Sequence, residues 1–319
     1  MRRTFMKSVA LGALMLGVGI SSAMAQDNYP AKPITMILPL GAGGSHDLNA
    51  RVLTSILPQY LGQAVIVKLV PGASGQTGTA AAANAPADGY TLLFTHNFFD
   101  QLQQHVKELP YNPTEDFVTV ARTNSARMCA IVRADSQFKS LQSLFDFGKK
   151  NPGKVELSHS GQWGATMVPA AQLFNWAKVN VNMTPYRGGG PSLRALLAGD
   201  ADVTFQFPST ILGQGNKVRT LACVLDEPTL GSPPTFASLG FPGEIGEMHR
   251  IVMAPRGIPA DRLAKLREAF VALQEDKTYK RLISRLGEDS NLMSGEDYEK
   301  LRVEQSKDYK ALVDSMISG

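Results

Sequence analysis

Apolar and polar positions recur in a fixed order from residue 33 onward. The run PITMILPL (33–40) reads as a buried strand and ends in the loop GAGGSHD (41–47). The segment HDLNARVLTSILPQYL (46–61) then places Leu48, Val52, Ile56 and Leu61 at helical spacing, with Ser45 or Asp47 positioned to cap. AVIVKLV (64–70) is a second strand, PGASGQTGT (71–79) a second glycine-rich turn, GTAAAANA (78–85) a helix and DGYTLLFT (88–95) a third strand. Strand, loop, helix and strand in this order predict a parallel sheet with right-handed crossovers.

The order then begins again. MCAIVRA (128–134), VELSHSG (155–161), VNMTPYRGGG (181–190), ADVTFQF (201–207) and VRTLACVL (218–225) read as strands, some running into polar loops. Between them lie the helical stretches SLQSLFDFGKK (140–150), VPAAQLFNWAK (168–178) and PSLRALLAG (191–199). Two such units in series predict two lobes. After HRIVMAPRGIP (249–259) come three charged helical segments whose mixed signs mark solvated faces.

The first residues are expected to form a secretory signal of residues 1–25. Arg2, Arg3 and Lys7 precede a short apolar run, and Ala23-Met24-Ala25 fits a small-x-small cleavage site before Gln26. The run is short for a membrane-tethering helix. Removing it takes three positive charges and lowers the formal net charge from +4 to +1, so basicity gives no support to nucleic-acid binding. The expected mature chain of 294 residues is long enough for two lobes. Its two cysteines, Cys129 and Cys223, lie in apolar runs. The expectation is two buried free thiols acting as small core hydrophobes, with a disulfide between neighbouring strands as the alternative.

The glycine loops narrow the chemistry. GAGGSHD lacks the Gly-Lys-Ser/Thr ending of a nucleotide loop, and GASGQTG (72–78) has no acidic residue at the distance a dinucleotide site requires. Ser45, His46 and Asp47 are consecutive, which a catalytic triad rarely tolerates, and no GxSxG elbow is present. His46, His96 and His159 near strand ends, with Asp47, could hold a divalent ion, yet no histidine pair has helical metal spacing, so no metal and no cofactor are expected. A small carboxylate fits best: glycines let backbone N–H groups approach an anion, and the following helix adds partial positive charge.

The chain also resembles the Bug-type receptors of the tripartite tricarboxylate transporters. The resemblance is carried by YPAKPITMILPLGAGGSHDLNAR, PGASGQTGT, APADGYTLLF, YNPTEDFVTVA, NPGKVELSHSG, PYRGGGPSLRALLAGDADVTF and MAPRGIPADRLAKL. It implies an α/β, two-lobed, type II periplasmic-binding-protein fold with the ligand between lobes. The expected divisions are 26–127 for the first part of lobe 1, 128–249 for lobe 2 and 250–319 for the rest of lobe 1, with hinges near Met128–Arg133 and Arg250–Ala254. It further implies a periplasmic monomer that delivers a small carboxylate to membrane transporter subunits and catalyses nothing. A signalling module and an enzyme on the same scaffold are the rivals.

Carried onto this chain, the first-lobe loops put Leu40, Gly41, Gly43, Gly44, Ser45, His46 and Asp47, and then Ala73, Ser74, Gln76 and Thr77, against one carboxylate. Ser160, Gln162, Trp163 and Thr166 from one second-lobe loop, with Arg187 from another, would close over the far end. Arg187 either pairs with a distal carboxylate or holds its own turn. Several positions depart from the family pattern. Leu69-Val70 replaces Asn-Arg, Val168 stands near a missing histidine, His46 replaces a small hydroxyl residue and Gln206 replaces an acid. Trp163 in a lengthened loop is expected to stack on a planar ligand, with His46 and His96 as switchable donors at its other end. Gln206 removes a natural partner for an ammonium group.

Overall fold

In the computed structural model the described residues are 28–242 and 247–318; the expected signal segment 1–25 lies outside them. The chain begins with strand β1 (Ile34–Leu38), helices α1 (Ser45–Ile56) and α2 (Pro58–Leu61), β2 (Val65–Leu69), α3 (Gln76–Ala83) and β3 (Thr91–His96). A π-helical turn, Phe98–Leu102, leads to the long β4 (Phe117–Ala126). There follow β5 (Cys129–Arg133), α4 (Leu141–Lys150), β6 (Val155–His159), α5 (Met167–Trp176), β7 (Val181–Pro185), α6 (Gly189–Ala198), β8 (Val203–Gln206), α7 (Pro208–Ile211) and β9 (Val218–Cys223). The chain ends with β10 (Met248–Pro255), α8 (Ala260–Glu275), α9 (Lys277–Arg285), β11 (Met293–Ser294) and α10 (Gly295–Ser318).

These strands form two sheets, ordered β11-β4-β10-β3-β1-β2 and β7-β6-β8-β5-β9. In the first, β1 runs parallel to β2 and β3, while β10 is antiparallel to β3 and β4. In the second, β6 is parallel to β7 and β8, and β5 is antiparallel to β8 and β9. The fold is therefore mixed α/β and two-lobed. The parallel strands β1, β3, β6 and β8 all finish at the cleft, where their following loops gather.

The chain crosses between sheets at 127–128 and again between Cys223 and Met248. The first crossover falls at the Met128 edge of the expected range, just ahead of β5 (Cys129–Arg133), while the second expected hinge is corrected: Arg250–Ala254 lies inside β10, where ladder bonds on both sides resist rotation. Met248 and His249, assigned by sequence to lobe 2, pair with β4 in the first sheet. The C-terminal helix departs from its expected place as well. It starts beside β4, yet Tyr309 and Val313 join the core cluster of the second lobe, with Phe98 and Leu102. The Tyr309 hydroxyl accepts a hydrogen bond from Asn97 Nδ2 at 2.5 Å. Burying each such aromatic side chain stabilises by roughly 1.5–3 kcal/mol.

Cys129 and Cys223 form a disulfide, which overturns the expectation of free thiols. They are register partners on antiparallel strands β5 and β9, so strand pairing alone brings their side chains together. Both are fully buried, as their apolar flanks required.

Candidate functional site

Helix α1 starts directly after the glycine loop, with Gly44 at its N-cap and no side-chain cap. Gly43 has φ +81°, a conformation that favours glycine. Asp47 reaches back so that its Oδ2 accepts from the Gly43 N–H at 2.9 Å, and Arg51 pairs with it at 3.1 Å. Asp47 therefore shapes the loop. The first N–H groups of α1 remain without intrahelical partners and carry the positive end of the helix dipole.

The buried stripe of α1 follows the apolar spacing only in part: Ile56, and Leu61 just beyond it, are buried as expected. Leu48 and Val52 are only half-buried, whereas Ser45, Asn49, Ala50 and Leu53 face inward. The polar members of this stripe meet a buried ion pair. Arg250 on β10 is fully buried, with Nη1 2.5 Å from Glu288 Oε2 and Nη2 3.0 Å from Oε1. Nη2 also donates to Ser45 Oγ. Asn49 and Asn124 both donate to Glu288 Oε2, at 3.2 and 3.0 Å. The guanidinium lies 5.6 Å from the Phe207 ring of the second lobe. Taking a charge pair this deep out of water is costly, and these hydrogen bonds offset the cost for the polar atoms of the pair except Arg250 Nε, which has no hydrogen-bond partner.

His46 and His96 stand beside this network, with ring centroids 5.3 Å apart. His46 Nε2 donates to the Thr95 carbonyl at 2.9 Å, and His96 Nδ1 accepts from the Phe99 N–H at 3.3 Å. Burial holds both rings neutral. His46 is pushed well below 6.5, with further lowering from His96 and Arg250. His96 is pushed down to about 3 by burial and then by Arg250. The expected switchable donors are thus corrected to neutral groups with fixed tautomers near pH 7.

In the second lobe, the Ser160 N–H donates to Thr166 Oγ1 at 2.9 Å, which closes the loop ahead of α5. Gln206 Nε2 donates to the Gly189 carbonyl at 3.1 Å and anchors the first turn of α6. His159 turns into its own loop, with Nδ1 3.0 Å from the Gly161 carbonyl, and burial lowers it to about 4.

The lobes meet through glycines. The Gly41 N–H donates across the cleft to the Arg187 carbonyl at 2.6 Å. A Cβ on Gly188 would lie 2.9 Å from Gly41 N, and one on Gly44 3.0 Å from Gly190 N. The glycines of GAGG and RGGG therefore permit backbone-to-backbone closure, a role the sequence reading did not assign. They enclose a cavity of about 20 Å³. That is room for about one water or one small polar group.

Of the expected site residues, Leu40, Gly41, Gly44, Ser45, His46, His96, Ser160, Thr166 and Gln206 line this cavity. Ala165, Gly189, Phe207 and Met248 line it too, and sequence reasoning missed them. Gly189 was signalled by RGGG; the other three are apolar and carry no chemical mark. No Asp, Glu, Lys or Arg is among the lining residues. The N-terminal ends of α1, α5 and α6 converge there instead.

Ser74, Gln76, Gln162 and Trp163 line a second cavity of about 220 Å³, together with Gln103, Val106 and Lys107. Gly43, Asp47, Ala73, Thr77 and Arg187 line neither cavity. The Arg187 side chain is exposed, and only its carbonyl serves the cleft. Among the described residues, no three His, Cys, Asp or Glu side chains form a group that could hold a metal ion.

Residues 49–317 match the family model for the tripartite tricarboxylate transporter family receptor. The chain belongs to this family. Protein BugT of Bordetella pertussis is 33% identical over 255 residues, which cover 77% of this chain and 78% of BugT. The structure of the periplasmic binding protein BugD superposes with a TM-score of 0.86 at 27% identity, covering 90% of this chain and 98% of BugD. MatC from Rhodopseudomonas palustris, solved with bound malate, shares the fold at 23% identity and a TM-score of 0.83, over 89% of this chain and all of MatC (100%). This receptor thus joins a family of periplasmic solute-binding proteins. Among its described residues, no helix is long and apolar enough to cross a membrane.

Proposed function

We propose that the protein captures a small organic carboxylate between its lobes in the periplasm and delivers it, as a monomer, to the membrane subunits of a tripartite tricarboxylate-type transporter. The observation that carries this reading is the convergence of three helix N-termini on a small closed cavity with no charged side chain in its wall. Such a wall offers oriented N–H groups and partial positive charge, which suit an anion. Neutral His46 and His96 add no formal charge of their own. The free space suits one carboxylate group, so the rest of a larger ligand requires rearrangement at the edges of the closed cleft.

The bonding of Ser45 supports binding without catalysis. Its Oγ accepts from Arg250 and lies 3.4 Å from Glu288 Oε1, so no histidine is placed to take its proton. Closure is rigid-body motion about the two crossovers, and the transporter then recognises the closed form.

Calorimetry against mono-, di- and tricarboxylates and amino acids tests the proposal. At least one carboxylate is expected to bind saturably and to be recovered unchanged. Failure of every carboxylate to bind, or chemical conversion of a bound one, would overturn it.

A further inference from the structure

We infer that Arg250, locked in place by Glu288, is a positioning residue of the carboxylate cavity: it holds the uncapped first turn of α1 in its binding geometry before a ligand arrives. The inference deepens the proposed reading of the cavity and rests on it. Arg250 itself is fully buried and does not line the cavity.

Helix α1 needs an anchor from outside. Its N-cap, Gly44, has no side chain to accept from the first N–H groups. A capping side chain has no room there, because a Cβ would fall 3.0 Å from Gly190 N and 3.3 Å from Gly189 N in the facing lobe. Those first N–H groups are the ones the proposed carboxylate uses, so a cap would also compete with the ligand. Helix ends fray unless something holds them.

The ion pair supplies that hold. Arg250 Nη2 donates to the hydroxyl oxygen of Ser45, the first residue of α1. Asn49 Nδ2, one turn on, donates both to the Ser45 carbonyl at 2.9 Å and to Glu288 Oε2 at 3.2 Å. The first turn is thus gripped twice, by its side chain and through its backbone.

The anchor is itself rigid. Arg250 pairs with His96 of β3 on one side and Asn124 of β4 on the other. The ladder to β4 slips right after this pair, and such bulges re-aim side chains next to binding sites. Glu288 follows α9 in a Schellman turn, where the Gly287 N–H donates to the Ser284 carbonyl at 2.9 Å and the Glu288 N–H to the Ile283 carbonyl at 3.2 Å. An apolar residue commonly packs on the helix at that place. Here a buried glutamate turns inward to Arg250 and Asn124 instead. Apolar residues often replace such a pair with no loss of stability, so stability alone does not account for it. Order established before binding removes a cost from binding, which does account for it.

The test compares the full chain with its Arg250→Met/Glu288→Leu variant. Asn49 and Asn124 keep acceptors there, in the Ser45 carbonyl and in Asn49 Oδ1. Without ligand, the Leu48 amide, bonded to the Gly44 carbonyl in the first turn, should exchange its hydrogen faster by roughly tenfold or more. The Leu57 amide, bonded to Leu53 at the far end of α1, should keep its rate. Calorimetry with acetate, succinate, citrate and benzoate should show the best-bound probe weakened by roughly tenfold or more, at an unchanged melting temperature. Ser45→Ala cuts the tether and leaves the ion pair intact. It should also speed Leu48 exchange, although alanine is the better helix former. A merely structural pair would change Leu48 and Leu57 exchange together with the melting temperature. The inference is overturned if Leu48 keeps its wild-type rate in both variants. It is equally overturned if the double variant binds the probes as the wild type does. Should the double variant fail to fold, the Leu48 rate in Ser45→Ala decides. If no probe binds the wild type, the carboxylate reading falls and this inference with it.

Discussion

Gly190→Ala separates closure of the lobes from their folding. Gly190 lies in the first turn of α6, where alanine is a better helix former by roughly 0.8–1.0 kcal/mol. The second lobe alone should therefore lose nothing. In the closed cleft, however, the new Cβ would run into the Ala42 carbonyl oxygen and fall 2.9 Å from Gly43 C and Gly44 N. All three atoms are backbone, so no side chain can rotate away. Overpacking of this kind costs about 1–3 kcal/mol, and rigid backbone neighbours favour the upper end. If tight binding requires the closed form, a penalty of about 2–3 kcal/mol weakens affinity by roughly 30- to 150-fold. Calorimetry reads the affinity, and small-angle scattering reads whether ligand still compacts the molecule. The melting temperature without ligand should hold or rise. Unchanged affinity with unchanged compaction would refute the claim that glycine contacts limit closure.

Other outcomes follow from the same contacts. Arg250→Met leaves Glu288 buried without its partner and should cost about 3–5 kcal/mol in urea unfolding, while the double variant Arg250→Met/Glu288→Leu should recover most of that. Replacing Cys129 and Cys223 together with alanine should lower stability by about 2–5 kcal/mol; two titratable thiols in the oxidised native protein would contradict the disulfide. His96 and His159, held at about 3 and about 4 against an ordinary 6.5, bind protons more readily when unfolded. Their depressed values mean that stability is full above pH 6.5 and falls as pH drops towards 4, by up to about 1.4 kcal/mol per pH unit for each ring. Denaturant midpoints between pH 7 and 4 measure that slope, and His159→Gln should flatten it.

The strands that end at the cleft were legible because each is a short apolar run followed by glycine or a polar loop, as PITMILPL is followed by GAGG. Strand β4 was harder. Its buried residues include Thr119, Thr123, Asn124 and Ser125, which a hydrophobic pattern does not register. The inward face of α1 was displaced for the same reason. Ser45 and Asn49 are buried against Arg250 and Glu288, charges that lie more than two hundred residues away along the chain and leave no trace near α1. The glycine loops were read as anion grips, and their interlocking across the cleft could not be seen, since it depends on how two separate lobes meet. Trp163 stood out in its loop, but the cavity it lines is built with Gln103 and Lys107, which belong to a turn that carries no motif.

A crystal structure grown with the tightest-binding carboxylate tests the central claim most directly. The account predicts a carboxylate group in the cavity between Ser45 and Gly189, with its oxygens about 2.7–3.1 Å from backbone N–H groups at the starts of α1 and α6. It also predicts closed lobes that keep the Gly41 to Arg187 backbone contact. A carboxylate bound instead to the Arg187 guanidinium, or seated outside the cleft, would contradict it.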